Sequence, residues 1–325
     1  MRTVFPAILA VSAFTFGQTS TFSGPISGFT FDPATQSIRA VIGTLGSASL
    51  GPSLAGTLDF ASIAPRQNYA VAVRRGQTVL LSALGIAPAQ VTVLSEASVP
   101  DGVAWSDDGS VAVLYSRLSN WIQICTGLPA SVSVGPQVSV PTGQLAVVAT
   151  DAHGQRVVVG VGGDQAGIYQ VQSGESFSLL LQISAPVSLA FSPDASTLYA
   201  LDQATNQISQ INLSNFAVQT LSAGAADAIA IRAAVDNSGD NVLYVAGRSS
   251  QILLVVDPDT LQTIATATLS FTPAMIAPLG ANGFLLAQRS NVHNLLWTFA
   301  ATAQPSIYFV PAPATDSVHP EAPPR

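Results

Sequence analysis

The sequence contains no lysine. Its 11 basic residues are all arginine, set against 18 acidic residues and 3 histidines in a chain of 325. Charged residues make up 9% of the chain, where an average soluble domain has about 25%. With no cluster of basic side chains to neutralise phosphates, a nucleic-acid partner is excluded. Low charge beside 48% hydrophobic residues also excludes a charged disordered chain. A single cysteine, Cys125, rules out an intrachain disulfide, and its run Trp121-Ile122-Gln123-Ile124-Cys125 reads as a strand, not a nucleophile's setting. Glutamate is nearly absent too: Glu96, Glu175 and Glu321 are the only three. A glycosidase pair would have to come from aspartates, most of which fall in turns.

The one long apolar run opens the chain. Arg2 precedes a mostly apolar stretch over residues 4–16, which ends in the small-x-small triplet Thr15-Phe16-Gly17. It is shorter than the ~20 residues that span a bilayer and has the layout of a Sec-type signal peptide. Residues 1–17 are therefore expected to be removed near Gly17, leaving a secreted or periplasmic protein with no membrane span. At the other end, residues 313–325 form a Pro-rich tail.

What fills the middle is repetition. Residues 186–202 place a turn, Ser192-Pro193-Asp194-Ala195-Ser196, between two short apolar runs, and a second hairpin follows over residues 207–221. Runs this short, rich in β-branched and aromatic residues and joined by Pro, Asp, Ser and Gly, read as antiparallel strands. Copies of the unit start near residues 60, 101, 145, 187, 228 and 273. Four short strands in about forty residues is the pattern of a β-propeller blade, whose two faces are buried only by its neighbours in the ring. The expected fold is all-β: one β-propeller of four-stranded antiparallel blades over residues 25–312, after an N-terminal segment at 18–24. Residues 25–43 can open a further blade, which makes seven and is preferred. Asp32-Pro33 also resembles Asp257-Pro258, and on that reading the ring has six blades plus an added hairpin. The Gly/Ser-rich stretch 44–58 is the weakest copy.

At Ala190-Phe191-Ser192-Pro193-Asp194 followed by Leu198-Tyr199-Ala200, with Tyr244-Val245-Ala246-Gly247 nearest the naming tetrapeptide, the chain resembles bacterial propellers with a YVTN-type repeat. That broad group includes lactonase-like proteins. The resemblance covers most of residues 60–312 and rests on a consensus for blade packing, so it implies fold more than activity. The lactonase branch would imply hydrolysis of a sugar lactone, but none of its catalytic residues can be placed on this chain.

No other chemistry is spelled out. His153, His293 and His319 have no ligand-like spacing, and Asp236-Asn237-Ser238-Gly239-Asp240 fits a tight turn better than a calcium loop. No Gly-x-Ser-x-Gly elbow occurs, and Gly160-Val161-Gly162-Gly163 is followed by no lysine. No metal site and no cofactor are expected. One alignment stands out at the ends of the second strands: Arg74 and Arg75, Arg117, Asp164, Asp202, Arg248 and Arg289. Five of the nine arginines between signal and tail fall at this one repeated position. Equivalent positions share a face of the ring, so these side chains are expected around one mouth of the channel, where arginine forks suit carboxylate or phosphate groups. The alternative is that strand-to-strand turns simply need polar residues.

The expected function is a monomeric, secreted propeller that serves as a binding or protein-interaction module. Its partner is an unknown protein or a small anionic or sugar-like ligand. The alternative is a lactonase-like or lyase-like enzyme acting on a sugar or polysaccharide. Acidic residues or histidine beside Arg117 and Arg248 would favour the enzyme, and an apolar mouth would favour binding.

Overall fold

A computed structural model describes residues 24–65, 68–86, 88–140, 143–172, 176–280, 283–287 and 296–311. The expected signal peptide and Pro-rich tail lie outside the described residues, as do Arg289, His293 and His319. The described elements are 27 strands in seven antiparallel sheets, each running through its strands in chain order. The fold is a seven-bladed β-propeller.

The first strands of the blades are Ile26–Asp32, Phe60–Ile63, Gly102–Trp105, Gln144–Thr150, Pro186–Phe191, Ala228–Val235 and Ala277–Leu279. First strands of neighbouring blades pack on one another, including blade 7 on blade 1, so they form the inner wall of the ring. Outermost strands such as Gln90–Val93 and Thr263–Thr268 are mostly exposed. Blade starts match the sequence repeat closely, except that the last first strand begins at Ala277 instead of near residue 273.

Seven clusters of buried apolar side chains hold the ring, one at each seam between neighbouring blades. Within a strand, alternate side chains point to the two faces of the sheet, and here both faces are covered by a neighbour. Second strands such as Ala70–Arg74 and Val157–Gly162 are therefore nearly continuous apolar runs. Cys125 is part of the seam between blades 2 and 3, and burial pushes its thiol up to about 11.

Residues 25–43 do open a blade, as the preferred reading has it, and Asp32 lies in an inner hairpin. Among the described residues blade 1 has three strands, Ile26–Asp32, Ser37–Ile42 and Ser49–Ala55. Its outer strand carries Pro52, which has no N–H to offer a further strand. Proline is confined to sheet edges for that reason, and the outer strand of blade 3, Ser133–Ser139, carries Pro136 in a matching Gly-Pro pair. Among the described residues, the seam between blades 7 and 1 is closed by packing and by one backbone hydrogen bond. Val41, Ala48 and Leu50 pack on Leu279, Leu285, Leu296 and Val310, and the Leu50 amide donates to the Pro311 carbonyl at 3.0 Å. Gly280, at φ +62°, comes so close to blade 1 that a Cβ there would lie 1.8 Å from the Ser27 carbonyl oxygen.

The turns between first and second strands are held by their own side chains. In blade 3 the Ser106 hydroxyl donates to Asp108 Oδ1 at 2.7 Å, and the Ser110 amide donates to the same oxygen at 2.9 Å. Blade 5 repeats this with Ser192, Asp194 and Ser196 at 2.6 and 3.1 Å. In blade 6 Asp236 accepts the amides of Ser238 and Asp240 at 2.8 and 3.0 Å, so this segment is a tight turn, as its composition suggested.

Candidate functional site

Because all blades run the same way, the second strands end on the face where the first strands begin. This is called the near face; the turns joining first and second strands make the far face. The inner wall encloses a cavity of about 520 Å³ along the axis. Its lining is largely apolar: Phe29 and Phe31 from blade 1, Phe60 and Ile63 from blade 2, Val103 and Trp105 from blade 3, Leu189 and Phe191 from blade 5, Met275 and Ile276 beside blade 7. Trp105 is fixed by a hydrogen bond from its indole N–H to the Ser62 hydroxyl at 2.9 Å and by an edge contact with Tyr69.

Each end of this channel carries an Arg–Asp pair. At the near face, Arg117 Nε lies 3.8 Å from Asp101 Oδ1, with the arginine side chain 54% exposed. That distance is an ion contact and not a hydrogen bond. Asp101 is held in place through its other oxygen, which accepts from the Ser116 hydroxyl and from the amides of Arg117 and Leu118. Oδ1 is buried and has no hydrogen-bond partner. The guanidinium of Arg117 sits 5.7 Å from the centre of the Tyr115 ring. Tyr115 in turn lies flat over Gly102, where a Cβ would come within 2.2 Å of its ring. Burial raises the Tyr115 phenol, so at neutral pH it is a neutral donor.

At the far face, Arg232 projects from the first strand of blade 6 and pairs with Asp107 in the turn of blade 3, across the ring. Arg232 Nε is buried and unpartnered. The bridge spans the far mouth. Outside it lies a vestibule of about 370 Å³, lined by Asp107, Asp108, His153, Arg232 and prolines of the turns. There His153 Nδ1 stands 3.1 Å from Asp108 Oδ2. For Asp108, burial alone would raise the pKa. Hydrogen bonds from Ser106, His153 and Ser110 outweigh burial and bring it to about 2. The same hydrogen bond to Asp108 raises His153 above its ordinary value.

The aligned residues meet different fates within the near face. Arg117 and Asp164 line a groove of about 660 Å³ that crosses blades 3 to 5 and also includes Gln144 and Gln203. Arg117 alone among them lines both this groove and the channel. Asp202 is buried and accepts the amides of Ala185 and Ala204, both at 3.0 Å, so it serves the turn. Arg75 is exposed in a left-handed turn position at φ +53°. Arg74 is partly exposed, its Nε 3.4 Å from the Thr57 hydroxyl, and Arg248 is exposed. None of these three lines the channel or the groove. Arg289 lies outside the described residues.

Sequence reasoning missed Asp101, Tyr115, Arg232, Asp107 and the aromatic lining. One signal was available: Arg232 is a charge inside the apolar run Ile229-Ala230-Ile231-Arg232-Ala233, at odds with a strand buried on both faces. Among the described residues no group of three or more His, Cys, Asp or Glu side chains could hold a metal ion. Among the described residues no helix is long and apolar enough to cross a membrane.

No protein-family model matches the chain, and no curated protein matches it in sequence. Its likenesses are to solved structures. It is similar to a chain of the Mitotic Checkpoint Complex at 13% identity and TM-score 0.60, covering 96% of this chain and 90% of that one. It is similar to Kuenenia stuttgartiensis hydrazine synthase at 10% identity and TM-score 0.57, covering 92% and 99%. It is similar to Kluyvelomyces marxianus Hsv2 at 13% identity and TM-score 0.57, covering 88% and 97%. At such identities the likeness is one of fold, and what it establishes is the propeller.

Proposed function

We propose that this protein is a secreted binding and interaction module of YVTN-like type, and that it takes its ligand, an anionic or sugar-like molecule, on the near face. The observation that carries this is the position of Arg117. Its half-exposed guanidinium stands where the groove and the channel meet, with its ion contact to Asp101 too long to occupy it as a hydrogen bond. A preformed cavity with an apolar body and a few placed polar groups is the usual form of a small-ligand site. The apolar channel favours binding over hydrolysis. The carboxylate in contact with Arg117 is Asp101, and one of its oxygens already accepts three hydrogen bonds. The signal-like segment 1–17 puts the module outside the cytoplasm in this proposal.

The test is a calorimetric screen of the secreted protein against short carboxylates and oligosaccharides. At least one should bind, and Arg117→Gln should weaken that binding tenfold or more. Equal binding by the wild type and Arg117→Gln, or binding by Arg248→Gln alone being impaired, would move the site elsewhere.

A further inference from the structure

We infer that the propeller channel is a binding cavity for a slender amphipathic acid, an apolar chain or flat ring system ending in one carboxylate, held with its head at Arg117 and its body in the bore. The inference deepens the near-face reading and rests on it. Three observations carry it.

The first is the lining. Phenylalanine, tryptophan, leucine, isoleucine and methionine residues line the channel, where they make up somewhat more of its surface than polar groups do. Several of them, Phe29, Phe60, Ile63, Trp105, Met275 and Ile276, remain partly exposed to it. Leaving this much apolar surface against water is unfavourable, and an apolar guest would remove it. The volume, about 520 Å³, falls within the range of cavities that enclose small ligands.

The second is that an ion pair crosses the far mouth. The Arg232–Asp107 bridge spans it, so the near face is taken as the guest's way in. The third is the head site at that opening. Arg117 offers a guanidinium fork whose one ion pair among the described residues is the 3.8 Å contact to Asp101. Tyr115, laid over the bare backbone of Gly102, lines the same end of the cavity. A fork of N–H donors beside a phenol O–H matches the two oxygens of a carboxylate. Asp101 meets this fork at Nε, at 3.8 Å, and is fixed through its other oxygen by two amides and a hydroxyl.

The experiment uses straight-chain acids as probes. Octanoate, decanoate and dodecanoate are titrated into the secreted protein by calorimetry, below their micelle-forming concentrations, beside acetate and dodecan-1-ol. Affinity should climb with chain length, by up to roughly fourfold per buried methylene, at one molecule per protein. Dodecanoate should bind at least tenfold tighter than dodecan-1-ol, and Arg117→Gln should bring the acid down to the alcohol. Ala104→Phe, which narrows the bore, should abolish the chain-length dependence while leaving the response to acetate unchanged. Ala277→Phe, on another blade of the wall, serves if the first variant does not fold. If affinity is the same for acetate and dodecanoate, the bore holds no apolar body and the inference falls, while the near-face site survives. If Arg117→Gln changes neither short nor long acids, the near-face site falls with it. Equal binding of dodecanoate and dodecan-1-ol would overturn the carboxylate head.

Discussion

Arg39 and Arg117 each stand beside an aspartate, and the surroundings give the two pairs opposite characters. Arg39 lies inside blade 1, its side chain 5% exposed and that of its partner Asp32 only 1%. Its Nε donates to the Gly51 carbonyl at 2.7 Å and its Nη1 reaches Asp32 at 3.4 Å. Arg117 is half in water, touches Asp101 at 3.8 Å, and opens onto two cavities. Burying a charge is costly unless it is paired and hydrogen-bonded. Arg39 is tied to its own blade on these terms, in a sheet of three described strands. Arg117 is under no such constraint, since about half of its side chain stays in water.

Removing each arginine should separate these characters most strongly. Arg39→Ala leaves Asp32 charged and buried, and should cost about 3–5 kcal/mol, read as a lower midpoint in urea denaturation. Pairing Arg39→Met with Asp32→Asn should recover much of that loss. Arg117→Gln should change stability by less than about 1 kcal/mol, the usual worth of an exposed ion pair. A large loss from Arg117→Gln would make it a structural residue and erase the contrast.

Gly102→Ala tests how the Arg117 end is built. The new Cβ meets the Tyr115 ring at 2.2 Å, and overpacking of this kind costs about 1–3 kcal/mol. Tyr115 must turn away, so carboxylate binding should fall together with stability. Unchanged binding would remove Tyr115 from the head site.

The smallest effect belongs to the far vestibule. His153 is raised by Asp108, so its contribution to stability is present below pH 6.5 and fades as pH rises through its higher folded value. Asp108 is lowered to about 2, so its contribution is present above about pH 4 and fades as pH falls toward 2. His153→Gln should flatten the thermal midpoint between pH 6 and 8 by a degree or so, with no change in ligand affinity. A changed affinity would tie the vestibule to the site.

How far these features could be read in advance differed from one to the next. The blade repeat was plain, because a strand buried between two neighbours must be short, apolar and bounded by turn residues, as in residues 186–202. The opening of blade 1 at Pro25 was open to two readings, since an Asp-Pro turn closes an inner hairpin at Asp32 and an outer one at Asp257. The aligned arginines shared one strand-end position, but the alignment offered no means of choosing among them. Asp202 and Arg117 occupy equivalent positions, yet one carboxylate turns inward to cap amides while the other side chain reaches the channel.

By itself the sequence determined the architecture of this protein, an all-β ring of about forty-residue blades nearly empty of charge. Strand period and turn chemistry are local, and a local pattern repeated seven times admits few other folds. Only the tertiary structure decided which arginines are buried, which reach the channel, and that an ion pair crosses its far end. Those properties depend on groups far apart in sequence, Arg232 and Asp107 above all, whose meeting is set by closure of the ring and written in no single repeat.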